Sequence, residues 1–456
     1  MTLANSVPQR SRRHLVVATI VSALGGLLFG YDNIVISGAI GYLARFFELD
    51  EARIGWAAGC ALIGCIVGSA TAGWIVDRLG GKVGLWLCAV CFALSSLGVW
   101  FAGSLTQFVL WRMIGGLGIG AASIVAPMYI AEIAPTRMRG RLVTFYQLGI
   151  VLGILSAVFV NMLIQRMGDD AWNVALGWRW MFFAGIVPAA LFAAMIVPAV
   201  ESPRWLMKMG RRAEAYDILC RLNGPQVATV ESDEIQQSLV QEEGRLSELF
   251  TTGFRRALLI GIMLAGLSQA SGITPLFSFL PEVFKAAGAE TGDAFLRSVL
   301  VSVINTIFTL MALWLVDIAG RKTLIVAGTS MQFVSFAAVG WIYHVHGGGA
   351  GVLVFVMAFV AAHAVGNGAV CWVIISEIFP TKVRGRAMSI ATTSLWLFAY
   401  IGNQAFPLMQ KNLGNSGTFW CFSGAALINM LCVLLLVPET KGRSLEQIED
   451  IWTVRK

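Results

Sequence analysis

Long apolar runs alternate with short polar segments along the whole chain. Twelve runs lie near residues 15–37, 54–76, 83–104, 105–131, 141–165, 176–199, 256–280, 295–319, 323–345, 350–378, 388–409 and 417–438. Each is about 20 residues or more, enough for one helix to cross a hydrocarbon layer of about 30 Å. The pattern predicts an all-α integral membrane protein with twelve transmembrane helices. One polar stretch interrupts the series, from about Glu201 to Arg256. Within it, RRAEAYDILCRL carries apolar residues at helical spacing, which predicts short helices lying against the bundle. Mixed charges from Glu231 to Arg245 suggest a mobile segment there.

The chain repeats itself. DRLGGK begins at Asp77 after the second run, and DIAGRK begins at Asp317 after the eighth, 240 residues later. EIAPTRMRGR begins at Glu132 after the fourth run, and EIFPTKVRGR begins at Glu377 after the tenth, 245 residues later. Two pseudo-symmetric six-helix halves explain these offsets, with a substrate site where they meet at mid-membrane. The expected organisation is one half over 1–199, a cytoplasmic linker over 200–255, a second half over 256–438 and a cytoplasmic tail over 439–456. Gly64 and Gly68, and likewise Gly116 and Gly120, stand four apart, a spacing that lets helices approach closely.

Composition agrees with the pattern. Hydrophobic residues make up 57% of the chain and charged residues 13%, with a mean hydropathy of +0.74. A soluble protein cannot hide that much apolar surface. With both termini cytoplasmic, about 25 of the 33 Lys and Arg fall in inner segments and about 7 in outer ones. The net charge of +7 is then a consequence of topology. No basic soluble domain offers a nucleic-acid surface. The first run reads as a retained anchor, being too long for a cleaved leader and carrying Asp32. Cys88 and Cys91 form a C-x-x-C inside a run, with no second pair at ligand spacing, so packing explains them better than redox or metal chemistry. No cofactor or metal site is expected.

Two buried charges stand out. Asp32 lies in the first run and Arg112 in the fourth. Charged groups at such depth are rare and usually serve ion or proton pathways. The first run enters from the inside and the fourth from the outside. At about 1.5 Å per residue, Asp32 lies roughly 25 Å along and Arg112 roughly 10 Å down, so their depths agree. Burial disfavours the charged carboxylate while a nearby guanidinium favours it. A change in their separation would take up or release a proton. A static buried ion pair is the plainer reading of the same two residues.

Several blocks together carry a family resemblance: GGLLFGYDNIVISG (25–38), RMIGGLGIG with PMYIAEIAPTRMRGR (112–141), VESPRWL (200–206), LPEVF, the paired D-x-x-G-R-K-like segments, and VPETKGRSLEQIE (437–449). Over essentially its whole length the chain resembles the sugar porter family of the major facilitator superfamily. The resemblance implies the major facilitator fold, alternating access and a monosaccharide or polyol as substrate. It favours Asp32 and Arg112 as a proton-coupling pair, because facilitative members tend to lack the acid. It implies a gating network at the cytoplasmic helix ends: Asp77, Arg78, Glu132, Arg139, Glu201, Arg204, Asp317, Arg321, Glu377, Arg384 and Glu439. By resemblance these lock the outward-facing state. A charge belt that only sets topology is the rival reading.

Sugar recognition needs amides for hydroxyls and aromatic faces for the C–H surface. Matching positions nominate Phe29, Gln147, Gln269, Thr274, Ser278, Asn305, Asn367, Trp372 and Trp396. The chain also departs from the family. Ser268 stands where Gln is common, Thr274 for Asn, Ser278 for Tyr, and Leu395 for a polar residue. Asn367, within Gly366 to Ala369, sits where Trp and Pro are usual and offers a replacement amide. Pro275 should bend or break the seventh helix. The expectation is a monomeric, proton-coupled symporter of a monosaccharide or related polyol, without covalent chemistry, in a bacterial-type inner membrane. The alternatives are a uniporter for the same substrates, a transporter-like sensor, and an organic-solute exporter.

Overall fold

The computed structural model describes residues 9–134, 138–241, 254–379 and 384–439. All regular structure among them is helical. Eleven helical segments are long and apolar enough to cross a membrane. The last, Arg386–Leu436, has 51 residues, too many for one crossing. Gly414 leaves the helical region at φ 68° and ψ 176°, and there the chain turns back. Counted this way the crossings number twelve, referred to below as spans one to twelve.

Helix starts are set by short polar side chains. Asp50 accepts from the Arg53 N–H at the head of span two, and Ser104 accepts from the Gln107 N–H at the head of span four. Each satisfies an amide that the first helical turn leaves unpaired. The internal repeat reappears in the tight turns. Span two (Glu51–Leu79) ends at Gly80 with φ 94°, and the eighth helix (Thr291–Ala319) ends at Gly320 with φ 86°. Glycine takes this conformation without steric penalty, so the two related segments both turn sharply into the next span.

Close packing inside the first half depends on absent side chains. A Cβ added to Gly64 would lie 2.2 Å from the Met113 carbonyl oxygen, and one on Gly116 would lie 1.9 Å from that of Ala61. Gly68 and Gly120 meet the same helix pair one turn further on. The four glycines of the two spaced pairs thus form one seam between spans two and four. Gly26, Gly30, Gly149 and Gly153 form a second seam, between spans one and five.

Several spans carry local irregularities. The helical hydrogen-bond pattern of span one is interrupted at Val35, between Gln9–Ile34 and Ile36–Phe46, although Val35 keeps helical φ/ψ. Span ten carries a π-helical turn at Ala364–Gly368. Span seven breaks at Gly272, which adopts φ 92° between helices Phe254–Ala270 and Ile273–Ser278. Pro275 therefore sits in the first turn of a new helix, where its missing N–H costs nothing. The interruption expected from Pro275 occurs three residues earlier.

The connecting stretch forms three short helices, Pro203–Lys208, Arg212–Asn223 and Pro225–Gln241. They share a small core of Leu206, Met207, Ala215, Leu219 and Ala228. Residues 231–241 are helical, where mixed charge had suggested mobility. Residues 242–245 lie outside the described residues.

Gly116→Val should break the seam between spans two and four. Overpacking of this kind costs about 1–3 kcal/mol or more. The expected result is a lower melting temperature in detergent and less folded protein in the membrane.

Candidate functional site

Asp32 and Arg112 meet directly. Arg112 Nη1 donates to Asp32 Oδ1 at 2.8 Å, and Nη2 donates to the Asp32 backbone carbonyl at 2.8 Å. The residues are 7% and 2% exposed. The guanidinium also lies 5.1 Å from the Phe182 ring centroid. The pair sits just before Val35 in span one. Asp32 Oδ2 is buried and has no hydrogen-bond partner.

The residues nominated for substrate binding are distributed as follows. Phe29 of span one and Trp396 of span eleven meet across the two halves, with ring centroids 5.7 Å apart. The Trp396 Nε1–H is buried without a partner. Gln147 is half-buried on span five. Gln269 Oε1 accepts from Thr274 Oγ1 at 2.6 Å across the break in span seven. Asn305 is buried on span eight, and Trp372 on span ten is partly buried. Asn367 lies in the π-helical turn, 2% exposed, with both amide atoms unpartnered. Unpaired donors and acceptors at such depth are costly, and a ligand rich in hydroxyls would satisfy them. The Ser278 hydroxyl accepts from Asn403 Nδ2 at 3.0 Å.

The charges at the helix ends beside the linker form twin arrangements. Glu201 accepts from the Lys82 N–H at 3.1 Å, just after the turn at Gly80. Glu439 accepts from the Lys322 N–H at 3.3 Å, just after Gly320. Lys82 Nζ donates to the Val197 and Ala199 carbonyls, and Lys322 Nζ donates to that of Leu434. Asp77 pairs with Lys208 at 2.8 Å, and Arg321 with Glu377 at 3.4 Å. Glu132 accepts from Ser202 and feels the charge of Arg204. These contacts each hold together elements of one half or its adjoining linker. Arg78 is exposed and stacks on Trp74 of its own helix at 4.8 Å. The side chains of Arg139, Asp317 and Arg384 lie outside the described residues.

The family profile described as "Sugar (and other) transporter" matches residues 18–452. The chain belongs to this sugar transporter family. It is 40% identical to the arabinose-proton symporter of Bacillus subtilis, over 96% of this chain and 95% of that one. It is 37% identical to the D-xylose-proton symporter of Escherichia coli, over 97% of both. Among solved structures, the inward-open conformation of the E. coli xylose transporter XylE aligns with a TM-score of 0.86 and 36% identity, covering 96% of this chain and all of that one.

In this sugar transporter the two halves are clasped at the end of the bundle away from the linker helices. Glu51 of span two pairs with Lys411 beyond span eleven at 2.8 Å. Gln404 Nε2 donates to the Ala52 carbonyl, and Asn403 Nδ2 donates to that of Ala58. Trp56 and Tyr400 meet edge to face at 6.4 Å. The Glu282 carboxylate fills the space beside Gly41. Ser278 belongs to this clasp through Asn403. Above it lies a vestibule of about 750 Å³, lined by Arg45, Glu51, Asp170, Glu282, Lys285 and Lys411 among others. Sequence reading missed the clasp. Its only local signal is the polar pair Asn403-Gln404 inside an apolar span.

Lys411→Glu places like charges across the clasp and should raise access from that end. A cysteine introduced at Ala58, which is buried and whose carbonyl accepts from Asn403, should then label faster, by no more than about fivefold because exposed ion pairs are weak. Adding Glu51→Lys should restore the original rate.

Proposed function

We propose that this protein is a proton-coupled symporter that moves a monosaccharide or related polyol by alternating access. It acts in the cell's inner membrane with both termini cytoplasmic. The single observation that carries the reading is the buried Asp32–Arg112 pair between spans one and four. Membership in the sugar transporter family and similarity to named arabinose– and xylose–proton symporters support it.

The steps follow from charge. With the outer side open, a proton adds to the Asp32 carboxylate and removes its charge. Arg112 then loses its ionic partner, and the groups around Asp32 in span one can rearrange. Substrate hydroxyls pair with Gln147, Gln269, Asn305 and Asn367, while Trp372, Trp396 and Phe29 cover its apolar face. Binding draws the two halves together over the substrate, and the outer clasp closes behind it. Substrate and proton leave to the cytoplasm, and the Asp32–Arg112 ion pair re-forms. The clasp in the present structure supports assignment to the inward-facing side of this cycle. On this reading the charged helix ends beside the linker bias the opposite, outward-facing state by pairing across the two halves there.

Asp32→Asn should abolish accumulation against a gradient while sparing exchange of labelled substrate. Proteoliposomes tested with D-xylose, L-arabinose and a panel of other sugars and polyols measure both. Alkalinisation of the medium on adding substrate should vanish in the variant. Accumulation driven by a pH gradient in the variant would show that coupling does not run through Asp32, whereas an unmodified protein that only equilibrates substrate would be a facilitator with a structural ion pair.

Gln147→Ala and Trp372→Ala should each weaken substrate binding by about 1–3 kcal/mol, the scale of one lost buried polar partner or aromatic contact. Protein abundance should hold. Unchanged affinity in both would move the site elsewhere in the cavity.

A further inference from the structure

The carboxylate of Asp32 has two differently placed oxygens. Oδ1 is taken by Arg112, whereas Oδ2 is buried with no partner. A proton that joins Asp32 without first displacing the guanidinium must therefore add to Oδ2. One other polar group stands near that oxygen. Ser95 Oγ, on span three (Gly81–Trp100), is also buried and unpartnered. Both atoms face the Cα of Gly115: a Cβ there would lie 2.5 Å from Ser95 Oγ and 2.9 Å from Asp32 Oδ2. The two oxygens are thus no farther apart than the sum of those distances, within reach of a hydrogen bond after a small rotation or of one bridging water. Gly115 leaves the space between them open.

We propose that Ser95 is the positioning residue for the proton-bearing oxygen of Asp32. The inference rests on Asp32 being the proton carrier. A hydroxyl both donates and accepts, so it suits both charge states. When Asp32 is ionised, the Ser95 O–H donates to Oδ2. When a proton from water adds to Oδ2, the new carboxyl O–H donates to Ser95 Oγ and the serine hydroxyl turns away. On release the proton returns to water and the first arrangement is restored, so no other reactant is needed. The other titratable groups around the site are Arg112 from span four, Cys60 and Cys65 from span two, and Tyr31 beside Asp32. Tyr31 is engaged with the Met181 carbonyl and Cys60 with that of Ala57. Span six contributes the Phe182 ring.

The test is an infrared pH titration of the purified protein, which needs no known substrate. The protonated-carboxyl C=O band that disappears in Asp32→Asn reports Asp32. In Ser95→Ala that band should move to higher frequency, because its O–H has lost an acceptor. Its pH midpoint should move toward alkaline by about one unit, the scale of one lost hydrogen bond to the anion. Ser95→Thr should restore both, and Ser96→Ala, on the next residue, should change neither. A band and midpoint unchanged in Ser95→Ala would overturn the role of Ser95 and leave Asp32 as carrier. A titration in which Asp32→Asn removes no band would overturn the proton-carrier reading itself.

Discussion

Hydrocarbon cannot solvate a charge, and the Asp32–Arg112 pair is where this chain meets that limit. Both groups are taken out of water, so each depends on the other and on a carbonyl aimed at the guanidinium. Breaking such a pair by removing one member leaves an uncompensated charge and is strongly unfavourable. Protonation is the one change that removes a charge without removing a side chain. On the proposed function, this pair is the point in the first half at which a proton acts.

The rest of the architecture gives that point mechanical consequences. Glycine seams weld span two to span four and span one to span five at backbone contact. Each seam leaves little room for relative movement, so the first half is built to move as a unit. The halves meet through more sparing contacts: Phe29 against Trp396 at mid-depth, and a clasp of hydrogen bonds and one exposed ion pair at the end away from the linker. Such contacts are individually weak, and they can be exchanged for others without unfolding either half. Rigid halves and a weak boundary are what alternating access requires.

Pseudo-symmetry links these features to chain order. Gly80 and Gly320 make equivalent turns, and Glu201 and Glu439 accept from equivalent amides at Lys82 and Lys322. The halves do not place their polar groups alike. The first half buries the Asp32–Arg112 ion pair, whereas the second leaves the Asn367 amide unpartnered in a π-helical turn.

The spans, the twofold repeat and the depth match of Asp32 with Arg112 were legible in the chain itself. They follow from local rules: apolar length sets a crossing, and rise per residue sets depth. The glycine spacing likewise announced a close helix pair, because helical periodicity places i and i+4 on one face. What the chain alone left open depends on contacts between segments hundreds of residues apart. Only the tertiary structure put Ser278 in the clasp with Asn403, stacked Arg78 on its own Trp74, and moved the break of span seven from Pro275 to Gly272. It alone left Asp32 Oδ2 and Ser95 Oγ unpaired on either side of Gly115. Helix length and depth are properties of one segment and can be read from it. Which polar atoms end up facing each other depends on how rigid helices pack, and no single segment carries that information.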